Sequence, residues 1–263
     1  MSESPLIVEP LRAFADNYIW LLTSTADAGA VVVDPGDAGP VLDYLQRSSK
    51  TLAAILITHH HSDHVGGISR LLASYPDVPV YGPARERIRE VTEPLREGDI
   101  VTLPFTGAEL TAMEVPGHTA GHIAYLGDGV LFCGDTVFAA GCGRVFDGTF
   151  EDLAKSLIRI SQLPPETLLY CAHEYTVDNI GFAKWVEPDN AALQQRDIDA
   201  MSMVERGEPT VPSTLALELE TNPFLRLSQP AVIAAAKKHM KIPTDDPIAV
   251  FTALRQWKDR EYD

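Results

Sequence analysis

The chain has 263 residues, 45% of them hydrophobic, enough to enclose a substantial core as one large domain or as one domain with an appendage. Acidic side chains outnumber basic ones 37 to 21, and the resulting net charge of −16 disfavours non-specific nucleic-acid binding, which runs on phosphate neutralisation. Three cysteines, an odd and sparse set, imply no disulfide framework and point to a reducing, cytoplasmic setting; no stretch approaches the ~20 apolar residues of a membrane span, and an N-terminus bearing Glu3 and Glu9 lacks the basic start of a secretory signal.

In chain order, Leu6–Val8, Tyr18–Leu22 and Ala30–Asp34 read as strands, the last closed by the turn Asp34-Pro35-Gly36-Asp37. A short amphipathic helix begins at Val41. Leu52–Ile57 is apolar and partly β-branched, which marks a buried strand. Val78–Tyr81 carries a proline and is expected near a sheet edge. Ile100–Leu103 and Glu109–Val115 are further strands. Ile123–Leu126 and Val130–Cys133 flank Gly127-Asp128-Gly129, a strong hairpin signal. Phe150–Ile160 reads as helix and Thr167–Cys171 as a short buried strand. From about residue 176 strand signals vanish, and Val177–Val186, Ala191–Val204, Gln229–Met240 and Pro247–Tyr262 read as helices separated by proline-containing breaks. Strands that come in runs, followed by helices, predict two packed sheets covered by helices rather than one parallel sheet.

The stretch Thr58-His59-His60-His61-Ser62-Asp63-His64-Val65-Gly66-Gly67 stands out. Neutral imidazole and carboxylate are the donors that borderline divalent metals prefer, and no lysine or arginine intrudes. Alternation along an extended chain sends His59 and His61 to one side and His60 to the other. Ser62 is expected to cap a helix whose first residues aim Asp63 and His64 at the same spot, with Gly66-Gly67 allowing close backbone approach. Its internal position, the interspersed aspartate and the flanking strand and helix argue against an exposed polyhistidine loop. Three further candidates each follow a predicted strand: His118 in Gly117-His118-Thr119, Asp135 in Gly134-Asp135-Thr136, and His173 in Ala172-His173-Glu174-Tyr175. Sites in layered α/β proteins form where strand ends converge. Singly each is weak; their recurrence beside the histidine cluster carries the reading. His60, His122 and His239 are not counted as ligands. Cys133, Cys142 and Cys171 are expected to be structural, and Trp20, Trp185 and Trp257 to pack in the core or between domains.

Thr-His-x-His-x-Asp-His at 58–64, with Gly117-His118-Thr119, Gly134-Asp135 and His173, resembles the metallo-β-lactamase-fold hydrolase superfamily. Four further stretches resemble the glyoxalase II (hydroxyacylglutathione hydrolase) family more narrowly: Ala13–Tyr18, Gly134-Asp135-Thr136 with Ala140–Arg144, His173–Thr176 and Thr221–Arg226. The likeness spans essentially the whole chain. It implies an α/β fold, a four-layer αββα sandwich over residues 1–175, followed by a helical substrate-binding domain over 176–263. It implies two divalent metals per chain, zinc before iron or manganese. His59, His61 and His118 would hold one, and Asp63, His64 and His173 the other, bridged by Asp135. The activity implied is a thioesterase that hydrolyses S-(2-hydroxyacyl)glutathione, chiefly S-D-lactoylglutathione, as the second step of methylglyoxal detoxification. A hydroxide shared by the metals would attack, oriented in part by Asp63. Arg144, Arg255 and Lys258 would hold glutathione's carboxylates, with Tyr175 as a hydrogen-bond donor and Asn179 as a peptide partner. Phe146 replaces a tyrosine found in some members and removes a hydroxyl, and Arg144 stands where others have lysine. A monomer with no nucleic-acid or membrane partner is expected. The main rival on the same scaffold is a mononuclear-iron persulfide dioxygenase that would use His59, His118 and Asp135; a nuclease or phosphodiesterase is opposed by the acidic charge.

Overall fold

The computed structural model describes residues 6–104 and 106–262, which divide into two compact units. One is the chain through Glu114 together with Gly121–Gly134; the other is Val115–Ala120 together with the chain from Asp135 onwards.

The first unit opens with β1 (Ile7–Ala13), β2 (Asn17–Thr23) and β3 (Gly29–Val33), paired antiparallel. Helix α1 (Ala38–Ser48) then crosses to β4 (Thr51–Leu56), which lies parallel to β3. Asp37 caps α1 by accepting the amide of Gly39 at 2.8 Å, and Ser49 ends it in the left-handed region. Two short helices, α2 (Ser62–Val65) and α3 (Ile68–Ser74), lead to β5 (Val80–Pro83), and β6 (Glu93–Leu95) completes a six-stranded sheet ordered β1-β2-β3-β4-β5-β6. Alternation sorts the side chains. Ile19, Leu21, Ala30, Val32, Ile55 and Ile57 point to the face where Val41 and Leu45 of α1 and Ile68 and Leu71 of α3 pack. Tyr18, Trp20, Leu22, Val31 and Val33 are just as buried on the opposite face. β2 is therefore buried throughout and apolar from Tyr18 to Leu22, as a strand covered on both sides must be. The proline-bearing strand lies near an edge as expected: β5 is next to the edge strand β6, which itself carries Pro94.

An antiparallel meander follows: β7 (Ile100–Thr102), β8 (Glu109–Glu114), β9 (Ile123–Gly127) and β10 (Val130–Gly134). Asp128 and Gly129 both take positive φ, 51° and 75°, in the two-residue turn that the Gly-Asp-Gly signal predicts. Tyr125 of β9 reaches across to β4's end, its hydroxyl donating to the carbonyl of Ile57 at 2.8 Å, so the two sheets of this unit are tied by a buried polar bond.

The second unit begins with a small hairpin, β11 (Val137–Phe138) and β12 (Gly141–Cys142). Helix α4 (Phe150–Ile160) is capped by Thr149, carries Glu151 and Asp152 in its first turn, and buries Leu153, Ala154, Leu157 and Ile160 along one stripe. Strand β13 (Leu168–Cys171) pairs antiparallel with β14 (Ser213–Thr214). The helices are α5 (Thr176–Val186), α6 (Ala191–Glu205), α7 (Leu215–Thr221), α8 (Pro230–Met240) and α9 (Pro247–Glu261). Phe182, Phe224, Phe251 and Trp257 form their aromatic core, with ring centroids 5.4–5.9 Å apart. Two expectations need correction here. The last third is not wholly helical, since it contributes β14. Trp185 is not packed away but 49% exposed. Among the described residues, no helix is long and apolar enough to cross a membrane.

Candidate metal centre

The histidine loop owes its shape to a residue that sequence reading left as a turn. β3 and β4 run parallel and in register, Val33 opposite Leu56, so the residues just beyond them lie side by side. Asp34 is thereby placed against Thr58. Its Oδ1 accepts the Thr58 amide at 2.8 Å and its Oδ2 accepts the Thr58 hydroxyl at 2.7 Å. His64 Nδ1 lies 3.0 Å from the same Oδ2, a distance at which an imidazole facing a carboxylate carries its proton on Nδ1. The Thr58 hydroxyl spends its hydrogen on Asp34, so its oxygen accepts from His59 Nδ1 at 3.0 Å. One buried carboxylate thus settles two tautomers and leaves lone pairs on His59 Nε2 and His64 Nε2. His61 Nδ1 lies 3.1 Å from His59 Nε2. Asp63 Oδ2 accepts from Asn17 Nδ2 at 3.0 Å and lies 3.6 Å from His64 Nε2.

Asp34, His59 and His64 also offer ligand atoms within 4.8 Å of one another. Asp34's oxygens already accept from Thr58 and face His64 Nδ1, which suits it to orienting these imidazoles. His60 turns away to Glu86 at 2.9 Å, as alternation predicts, and His122 stacks on His59 at 4.7 Å, wholly buried. Ser62 does not cap α2. His61 holds the capping position in an extended conformation without a side-chain bond, and Ser62 is the first helical residue. The glycines matter instead: a Cβ on Gly36 would sit 1.7 Å from the Asp63 carbonyl oxygen, and one on Gly67 would sit 2.4 Å from that of Pro35.

Replacing Asp34 with alanine is expected to weaken divalent-metal affinity about 10–100-fold, the usual cost of losing a ligand's orienting partner. Competition against a chromophoric chelator measures it, and unchanged affinity removes Asp34 from this role.

The second unit assembles its own donors. His118 Nδ1 lies 2.7 Å from the Arg144 carbonyl, which only accepts, so Nδ1 carries the proton and Nε2 the lone pair. His118 Nε2 and His173 Nε2 each stand 3.4 Å from Asp135 Oδ2. Two imidazole nitrogens converging on one carboxylate oxygen beyond ordinary hydrogen-bond length are placed as ligands of a cation are placed. Tyr175 stacks on His173 at 4.7 Å and 7°, and Phe138 stands edge-on to both rings. Phe146 stands edge-on to His118 at 5.2 Å and is 64% exposed.

The expected substrate-binding residues divide by environment. Arg144 is more than half exposed, 4.0 Å from Asp259 Oδ1. Arg255 is buried: Nη1 donates to the Cys142 carbonyl at 3.0 Å, while Nε and Nη2 engage Asp259 at 3.0 and 2.9 Å. Lys258 is buried on the same helix, its Nζ 5.6 Å above the Tyr262 ring. Asn179 is buried and donates to the Ala139 carbonyl at 3.1 Å. Burial pushes the Cys142 thiol up to about 11, against the pull of Arg255, and the Cys171 thiol up to about 12. Sequence reading missed Asp34, Asn17 and Asp259. Asn17 had a signal in its place within the Ala13–Tyr18 stretch, and Asp259 in its place four residues after Arg255 on one helix; Asp34 had none beyond its turn.

Histidines with their Nδ1 protons fixed by carboxylate, hydroxyl or carbonyl, flanked by Asp63 and Asp135, are donors suited to a divalent metal. The family model described as the metallo-beta-lactamase superfamily matches residues 14–173, and that of the hydroxyacylglutathione hydrolase C-terminus matches 174–261. The chain is 50% identical over 252 residues to a hydroxyacylglutathione hydrolase of Nitrosomonas europaea, covering 96% of this chain and 95% of that one. It is 55% identical over 250 residues to one from Alkalilimnicola ehrlichii, covering 95% and 97%. Among solved structures it resembles ETHE1 from Myxococcus xanthus, with 25% identity, coverage of 95% and 98%, and a TM-score of 0.64.

Proposed function

Because this chain belongs to the hydroxyacylglutathione hydrolase family of the metallo-beta-lactamase superfamily, we propose that it hydrolyses S-(2-hydroxyacyl)glutathione, chiefly S-D-lactoylglutathione, to glutathione and the 2-hydroxy acid. The near-full-length identity of one half to relatives of that name carries the reading. The 25% identity to ETHE1 is much the weaker likeness and does not favour the persulfide dioxygenase.

We assign two divalent ions, zinc before iron or manganese: His59, His61 and His118 to one, Asp63, His64 and His173 to the other, and Asp135 to both. Such ions, when bound, make water nucleophilic near neutral pH and polarise an acyl carbonyl. The chain's own residues do the rest. Asn17 holds Asp63, which we assign the orienting of water, and Asp34 holds His64 and, through Thr58, His59. The departing thiol has an ordinary pKa of about 8.5, so no general acid is required of the chain. Glutathione brings two carboxylates to an acidic protein, and we place Arg144 and Lys258 against them, with the Tyr175 hydroxyl as donor. Arg255 and Asn179 serve that site by holding the β11–β12 hairpin, to which both are bonded. Phe146 offers a ring wall without a hydroxyl. We place the boundary between the catalytic and substrate-binding domains at residue 175, close to where one family match gives way to the other. The three cysteines, all buried as thiols, suit a reducing cytoplasm.

The test is hydrolysis of S-D-lactoylglutathione followed at its thioester absorbance, beside metal counting. Turnover with close to two metals per chain, lost on chelation and restored by zinc, is expected. A single iron with oxygen consumption on glutathione persulfide overturns the reading. Lys258→Ala is expected to raise KM about tenfold with kcat within about threefold, the loss of one charge-assisted contact; an unchanged KM removes Lys258 from the glutathione site.

A further inference from the structure

Inside the helical region lies a buried polar cluster that the reaction as described does not use. Glu218 of α7 and Asn222 just after it are fully buried, and Arg196 of α6 is nearly so. Arg196 forms an ion pair with Glu218 Oε1 through Nη2 and donates to Thr221 Oγ1 at 2.6 Å through Nη1; the Ser213 hydroxyl donates to Glu218 Oε1 at 2.5 Å. Burying such a pair costs desolvation that a hydrophobic replacement would avoid, so it is expected to do something that replacement would not. Its outward bonds say what. Glu218 Oε2 accepts the amide of Ala140 at 2.8 Å. Asn222 Nδ2 donates to the carbonyls of Phe138 at 3.1 Å and Gly141 at 2.9 Å. These are backbone groups at the tip of the β11–β12 hairpin, where Ala140 is held at φ 54°, a conformation that a residue with a Cβ adopts only under restraint.

The hairpin is the segment between two residues of the proposed site. Asp135 lies two positions before β11, and Arg144 two positions after β12. Gly143 packs so closely on the Asp135 carbonyl that a Cβ there would lie 2.0 Å from it, so the hairpin's exit is pressed against the carboxylate-bearing residue. Phe138, in β11, meets the rings of His173 and Tyr175 edge-on. A shift of the tip is therefore transmitted to Asp135 and His173 together.

We propose that Asn222 and Glu218 are positioning residues for thioester hydrolysis: they clamp the strained Ala139–Ala140 turn and so set where Asp135 stands against His118 and His173. The proposal rests on the assignment of Asp135 to the metal centre. It also gives the Thr221–Arg226 stretch, which the sequence singles out, a task in the reaction.

The test compares Asn222→Ala with Glu187→Gln. Glu187 and Arg226 form a bidentate, largely buried ion pair in the same unit, at 2.7 and 2.9 Å, with no bond to the hairpin. Asn222→Ala is expected to lower kcat at least about tenfold with KM within about threefold, to bind less metal at a fixed zinc activity, and to speed amide exchange across residues 136–142. Glu187→Gln is expected to lower the Tm while kcat and that exchange stay within twofold of the parent. If Asn222→Ala does not fold, Asn222→Ser, with one donor against two carbonyls, is measured in its place. Parental kcat and exchange in the Asn222 variant, or equal losses in both variants, overturn the proposal. An unmodified protein that does not hydrolyse the thioester at all overturns the functional reading instead.

Discussion

Asp135→Ala is expected to lower kcat at least about a thousandfold, and to leave fewer metals per chain, without unfolding the protein. Asp135 Oδ2 stands 3.4 Å from both His118 Nε2 and His173 Nε2, which makes it the meeting point of these two rings. Its loss leaves two imidazoles, one with its tautomer fixed by the Arg144 carbonyl, facing each other without a shared anion. Metal assistance is worth several kcal/mol of transition-state stabilisation, and each ~1.4 kcal/mol is tenfold in rate, so about three orders of magnitude follow. Asp135→Asn keeps the shape and removes the charge, and it is expected to fall in the same range. Single-turnover kinetics, elemental analysis and circular dichroism read the three quantities. A folded Asp135→Ala variant within tenfold of parental kcat would remove Asp135 from the centre.

Gly36→Ala is expected to be nearly as damaging by a different route. The new Cβ would lie 1.7 Å from the Asp63 carbonyl oxygen and 2.9 Å from the Phe14 ring. The ring can swing aside, but a backbone oxygen cannot, so α2 must shift and carry Asp63 and His64 with it. Overpacking of this kind costs about 3 kcal/mol or more. A Tm lowered by roughly 10 °C and metal content below half of parental are expected. Gly98→Ala is the comparison: Gly98, unlike Gly36, has positive φ, 82°, but nothing lies within 4 Å of its added Cβ, so it should cost only the ~1–2 kcal/mol of left-handed backbone. A Gly36→Ala variant with parental metal content would show that the histidine helix does not depend on this contact.

What could be read from the residues alone follows the range of the forces involved. The Gly127–Gly129 turn and the two 15-residue helices that begin at Ala191 and Pro247 announce themselves through local turn chemistry and periodicity. Strands of two or three residues, such as β11, β12 and β14, carry too few side chains for alternation to register, and α7 hides between prolines. The histidine loop was legible because its chemistry is concentrated in consecutive positions. Asp34 was not, because its importance arises only when parallel pairing lays it beside Thr58, 24 positions away. Arg255 and Lys258, three residues apart, share a face of α9, but helical spacing does not reveal that Asp259 and the Cys142 carbonyl already occupy the guanidinium.

Burial of the three cysteines has a chemical consequence for a protein proposed to act on activated acyl groups. Thioesters exchange with thiolates, and an exposed, ionised cysteine beside the substrate would accept the acyl group itself and hold the catalyst as a dead-end adduct. Cys142 lies two residues from Arg144, yet with its thiol at about 11 only around one molecule in ten thousand is ionised at neutral pH, and it is shielded from solvent as well. The fold thus guards against self-acylation and leaves water as the acyl acceptor.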